Sequence, residues 1–179
     1  MKKIGIIVLS IMVTNFINAV ETPELIVKAK SGDLAGVKKA FARGANINVT
    51  NTNGTTALIE ASTHNHVHIV KYLISIRANV NAQDKEGYTA LMFASEMGLV
   101  EIAKILIASR ASVNEKTKIG GTALMIASEK GHFAIVKLLI AAKALVNAKS
   151  NTGVTALMVA KIKGHTEVVK LLKQAGARE

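Results

Sequence analysis

Apolar residues along this chain recur at helical spacing in short runs, and each run restarts 33 residues after the last. Thr56, Thr89, Thr122 and Thr155 each precede a run of the type Ala-Leu-Met-x-Ala, and threonine is a good N-cap for a helix whose apolar positions follow. Gly98, Gly131 and Gly164 predict the ends of these first helices. A second helix then runs through segments such as Ile135-Val136-Lys137-Leu138-Leu139-Ile140, with apolar residues on one side and lysine on the other. Asn and Gly around Asn51–Gly54, Asp84–Gly87 and Asn151–Gly153 mark tight turns between units. A two-helix unit of this size cannot bury its own apolar face, so neighbouring units must stack.

The register is strict. Thr56-Ala-Leu-Ile-Glu-Ala-Ser, Thr89-Ala-Leu-Met-Phe-Ala-Ser, Thr122-Ala-Leu-Met-Ile-Ala-Ser and Thr155-Ala-Leu-Met-Val-Ala-Lys align without a gap. Gly54, Gly87, Gly120 and Gly153 keep step with them, as do Asn48, Asn81, Asn114 and Asn147. A degenerate unit lies upstream, where Gly32 aligns with Gly98, Gly131 and Gly164, and Gly44 with Gly176. The period and the pattern Gly-x-Thr-Ala-Leu…Ala-Ser-x-x-Gly-His…Ile-Val-Lys-Leu-Leu-Ile…Ala-x-Val-Asn-Ala resemble the ankyrin repeat, over about residues 24–179. That resemblance implies an all-α repeat solenoid of about five stacked helix-turn-helix units joined by β-turn or hairpin connections. The units fall at about 21–50, 51–83, 84–116, 117–149 and 150–179. The chain departs from the family where Thr-Pro-Leu-His becomes Thr-Ala-Leu-Met or Thr-Ala-Leu-Ile. It departs again where Arg77, Arg110 and Lys143 replace the glycine after the second helix, and where Asn65 replaces another. Those four positions are expected to need a left-handed backbone, which costs a non-glycine residue on the order of 1 kcal/mol.

Polar residues enter otherwise apolar columns in the first and last units. Lys28 stands in the column of Ala61, Ala94, Ala127 and Ala160, and Lys39 in that of Tyr72, Ile105, Leu138 and Leu171. Lys173 follows Ile74, Ile107 and Ile140, and Lys161 follows Ser62, Ser95 and Ser128. Terminal repeats need such residues because their outer faces meet water, so the array is expected to be complete at both ends.

Ahead of the repeats, Lys2-Lys3, the apolar run Ile4 to Val13 and Ala19 form the three parts of a secretory signal peptide, residues 1–19. An uncleaved anchor over residues 4–20 is the alternative, although Thr14, Asn15 and Asn18 interrupt that stretch, which is short for a span of ~20 residues. Both readings place the domain 20–179 outside the cytoplasm, in the periplasm or the extracellular space, with a bacterial envelope as the expected setting. No cysteine occurs, so packing alone must hold the fold in an oxidising compartment.

Composition narrows the chemistry further. Half the residues are apolar but only 3% are aromatic, and a core of Ala, Ile, Leu, Val and Met suits close helix packing. The formal charge of +11 loses Lys2 and Lys3 on cleavage. Lys38, Lys71, Lys104, Lys137 and Lys170 form one column of a solvated outer face. Its functional alternative is attraction to anionic lipid, surface polysaccharide or an acidic protein. Nucleic acid is disfavoured, since stacking wants aromatics and the exported part holds only Phe41, Tyr72, Tyr88, Phe93 and Phe133. His64-Asn65-His66-Val67-His68 superficially suggests a metal site, but His66 shares the register of His132 and His165, where the family places a structural histidine. Carboxylates are scattered and no phosphate loop is present, so neither an enzyme nor a cofactor is expected.

What remains is recognition of another protein by a monomer. Ankyrin-repeat proteins read partners with turn tips and exposed positions of the first helices. In this register the turn positions are Thr52, Asn53 and Thr55, Lys85, Glu86 and Tyr88, Lys118 and Ile119, and Asn151, Thr152 and Val154. The helix positions are His64, Glu96 and Met97, Glu129 and Lys130, and Ile162 and Lys163. These columns vary between units while the framework columns repeat. Tyr88 with Met97 is the expected anchor pair, because interfaces favour aromatic and methionine side chains.

Overall fold

A computed structural model describes residues 23–178; the leader reading falls outside these residues. Ten helices occur among them, in pairs: α1 (Glu24–Lys30) and α2 (Leu34–Ala42), α3 (Ala57–Thr63) and α4 (Val67–Ser75), α5 (Ala90–Glu96) and α6 (Val100–Ala108), α7 (Ala123–Lys130) and α8 (Phe133–Ala141), α9 (Ala156–Ile162) and α10 (Thr166–Gln174). The expected all-helical solenoid is the observed fold. Isolated bridges Thr50–Thr56 and Gln83–Thr89 close two of the turns as rudimentary hairpins.

The four threonines cap as their position dictates. Each Oγ1 accepts the N–H of the residue three further on, from Ile59, Met92, Met125 and Met158, each at 3.3 Å. The alanines that follow give the first helices their close approach. Ala57, Ala61, Ala90, Ala94, Ala123 and Ala127 are all buried, and successive first helices pack tightly on one another. The second helices present larger residues such as Ile69, Leu73, Ile102, Leu106, Ile135 and Leu139, and touch their successors less. Small residues on one layer and large ones on the other curve the stack, with turns and first helices on the inner side.

Histidine stitches the units together. His66 Nε2–H donates to the Lys30 carbonyl at 2.9 Å, His132 to Glu96 at 3.0 Å and His165 to Glu129 at 2.8 Å. Each acceptor sits at the C-terminal end of a first helix, where carbonyls lack intrahelical partners. A second ladder uses asparagine. The Oδ1 atoms of Asn48, Asn81, Asn114 and Asn147 accept the backbone N–H of Asn79, Ser112, Leu145 and Arg178, each at 2.8 Å.

The left-handed positions lie where the register put them. Asn65, Arg77, Arg110 and Lys143 have φ of 59°, 67°, 66° and 64°, and glycine takes the second column at Gly44 and Gly176. Polar substitutions sit at the end units as expected. Lys39, Lys161 and Lys173 are exposed and Lys28 half-buried, held by Asp33 at 3.1 Å. Asp33 also caps α2 by accepting the Gly36 N–H at 2.7 Å. That backbone bond first, and Lys28 second, hold the Asp33 carboxyl below its ordinary value.

Candidate partner-binding face

The turn tips project from the inner edge of the stack, and their backbones are fixed from two directions. Within a turn, Asn51 Oδ1 accepts the N–H groups of Asn53 (2.9 Å) and Thr55 (3.0 Å). Asp84 does the same for Glu86 and Tyr88, and the hydroxyls of Thr117 and Ser150 take over in later units. Between turns, the N–H of Lys85 donates to Asn53 O, that of Lys118 to Glu86 O and that of Asn151 to Ile119 O, at 2.9–3.0 Å. Gly120 is required by this approach, since a Cβ there would lie 2.6 Å from the Asn151 amide nitrogen, and its φ is 78°. The tips therefore form a continuous hydrogen-bonded ladder that presents side chains from a rigid rail.

Most of the charged side chains at the candidate positions pair across unit boundaries. Lys118 meets Glu86 at 3.8 Å, Lys130 meets Glu96 at 3.4 Å and Lys163 meets Glu129 at 3.5 Å. His64 stays within its unit, 3.5 Å from Glu60. Exposed pairs of this kind add little to stability. Their effect on the face is to cancel charge locally and leave apolar residues as its distinguishing content.

Those residues gather around the last three units. An open groove of about 430 Å³ is lined by Tyr88, Ile119, Met125, Ile126, Val154 and Val159, with Asn151, Thr152 and Glu129 among the polar residues at its margin. Ile119 stands 70% exposed at its turn tip. Tyr88 is half-buried, its ring 5.3 Å from that of Phe93. Burial first, then the carboxylates of Glu96, Asp84 and Glu129, raises its phenol above the ordinary value.

The groove joins Tyr88, Ile119, Glu129, Asn151, Thr152 and Val154 from the residues read off the sequence. Met97, the intended companion of Tyr88, caps α5 and is 55% exposed, but it does not line the groove. Thr52, Asn53, Thr55 and His64 belong to an earlier unit, away from it, and Lys85, in the same unit as Tyr88, does not line it. Sequence reasoning missed Met125, Ile126 and Val159. The signal for two of them was present, because the column Glu60, Phe93, Ile126, Val159 varies from unit to unit. It runs from a carboxylate beside His64 to two aliphatic side chains, so the inner face changes from polar to apolar along the stack.

Two of the three clustered histidines, His64 and His66, make structural contacts. His66 serves the unit boundary, and the His64 ring lies stacked on it with 6.2 Å between centroids while Nδ1 contacts the Glu60 carbonyl at 3.0 Å. Among the described residues no three His, Cys, Asp or Glu side chains converge as a metal site requires. Also among them, no helix is long and apolar enough to cross a membrane.

A curved stack of two-helix units, with a rigid rail of turn tips along an inner face whose side chains vary, defines a repeat-solenoid recognition scaffold. The chain belongs to the ankyrin-repeat family: a family model described as ankyrin repeats (3 copies) matches residues 25–117 and 109–178. A comparison with curated proteins gives no match. Ankyrin repeats commonly mediate binding between proteins, and the family is typically non-catalytic.

Proposed function

We propose that this chain is an exported protein-interaction module without catalytic activity of its own, and that its partner inserts apolar side chains into the groove of the last three units. The carrying observation is the meeting of Tyr88, Ile119, Ile126, Val154 and Val159, five variable-column residues that the fold does not dictate, in one concavity. Charges on either side are already paired, so the partner gains affinity there from desolvating apolar surface rather than from ion pairing. A partner with one or two protruding aliphatic or aromatic anchors fits this surface.

Export rests on the leader, with its lysines, apolar run and Ala19. It places the partner in the periplasm or outside the cell. Terminal sequencing of the protein from its native envelope should give Val20 as the first residue; Met1 at the terminus of the native protein would count against cleavage.

Affinity isolation from the same envelope fraction tests binding. The unaltered chain should retain a protein that Ile119→Asp loses, with the thermal midpoint of Ile119→Asp unchanged because the side chain is exposed. Equal retention by both forms would move the binding site elsewhere.

A further inference from the structure

The outer face of the three inner units carries a second feature that the recognition groove does not use. Lys71, Lys104 and Lys137 repeat on the exposed sides of α4, α6 and α8. Six residues on, two past the end of each helix, Arg77, Arg110 and Lys143 form a second column, also exposed. Helices packed side by side lie about 8–10 Å apart, so each column is a line of cations at roughly that pitch. Lys71 pairs with Glu101 at 3.2 Å. Among the described residues the other five have no carboxylate within 4.0 Å.

The second column is the informative one. Its members hold φ of 64–67°, a left-handed backbone that favours glycine, and glycine is what the first and last units have there, at Gly44 and Gly176. A cation near a helix C-terminus interacts well with the helix dipole. That benefit does not require strain, because Ser75, Ala108 and Ala141 occupy exposed positions in the same last turns, where lysine would serve equally. Three strained basic residues confined to the inner units therefore point to a ligand rather than to the fold.

We propose that this face binds a linear acidic polysaccharide lying along the solenoid axis between the two cationic columns. The strip between them in sequence is floored by small exposed residues, Ser75, Ala108 and Ala141, and the regular pitch complements a polymer with regularly spaced anions. A membrane surface is a poorer fit, since the floor offers no large apolar side chain for insertion. A single-stranded nucleic acid is poorer still. Stacking needs a run of free aromatic faces, and of the two aromatics on α4, α6 and α8 only Phe133 is exposed; Tyr72 is half-buried with the Lys38 ammonium 5.4 Å over its ring.

Binding of the full chain to heparin in low salt tests this, with anionic phosphatidylglycerol vesicles and single-stranded DNA as separate arms. Heparin should bind most tightly, and affinity should fall steeply as salt is added. The triple variant Arg77→Gly, Arg110→Gly, Lys143→Gly should lose about tenfold or more in affinity, as removal of several ionic contacts does for polyanions. Its unfolding midpoint should stay or rise, because glycine relieves the backbone. The pair Lys104→Gln, Lys137→Gln should weaken binding in the same direction without touching the strained positions, and Ile119→Asp should leave it unchanged. Undiminished heparin binding by both basic-residue variants would overturn the proposal, as would tighter binding to the vesicles or to DNA.

Discussion

The ring of His132 lies directly against Gly98 of the preceding unit while its Nε2–H donates to the Glu96 carbonyl two residues earlier, at 3.0 Å. A Cβ built on Gly98 would come within 2.9 Å of the imidazole, so histidine and glycine at this boundary require each other. The same pairing holds for Gly32 with His66 and Gly131 with His165. It fails at one boundary, where Asn65 replaces the glycine and Leu99 the histidine. Both departures in that register share a single steric cause.

Gly98→Ala is expected to destabilise the protein by about 1–3 kcal/mol, from the left-handed backbone together with the displaced imidazole. Asn65→Gly should stabilise by up to about 1 kcal/mol, since no ring faces that position. Urea unfolding of the two variants against the unaltered chain measures both shifts.

The asparagine ladder carries comparable weight. Asn114 Oδ1 accepts the Leu145 N–H at 2.8 Å, and its Nδ2 reaches the Lys143 carbonyl at 3.4 Å. Asn114→Ala removes both and should reduce stability by about 1–2 kcal/mol. Hydrogen exchange should show the Leu145 amide losing protection selectively, while the Ala111 amide, held by the Leu106 carbonyl at 2.9 Å, keeps its own.

Tyr88 provides a spectroscopic handle on the groove. Its folded phenol pKa lies above the ordinary value of 10.0, chiefly through burial. The associated stability is fully present below the unfolded pKa and is lost as pH rises toward the folded value, because only the unfolded chain ionises readily in that window. In a Tyr72→Phe variant Tyr88 is the one tyrosine, and its absorbance should titrate above the range of a free phenol. A midpoint at the free-phenol value would mean that the ring is open to water.

Much of this was legible in the residues. Threonine before an apolar run names a helix start, and glycine exchanged for Asn65, Arg77, Arg110 or Lys143 marks a left-handed position; both follow from local backbone chemistry. The partners of the asparagine column were not legible. A constant column shows that Asn48, Asn81, Asn114 and Asn147 matter to the repeat, but the amide each one meets lies 31 residues further on and depends on stacking geometry. The groove was half legible for the same reason. Tyr88 and Ile119 stand out as apolar residues at turns, whereas Ile126 and Val159 lie on the apolar first helices and look like core until curvature exposes one edge.

Charge pairing was also hidden. Glu96 and Lys130 read as independent contact residues in the sequence, yet they lie 3.4 Å apart across a unit boundary. Reversing both, Glu96→Lys with Lys130→Glu, should leave the thermal midpoint nearly unchanged, whereas Glu96→Lys alone should lower it slightly, by under about 1 kcal/mol in stability. A double-mutant cycle by calorimetry separates the two.

Partner recognition is proposed at the apolar end of the inner face. Hydrogen exchange of the chain with and without its isolated partner tests it most directly. Added protection is expected at the turn tips 117–121 and 150–154 and along α7 and α9, with the outer helices α4, α6 and α8 unaltered. Protection confined to those outer helices, or to the turn of residues 51–55, would contradict it.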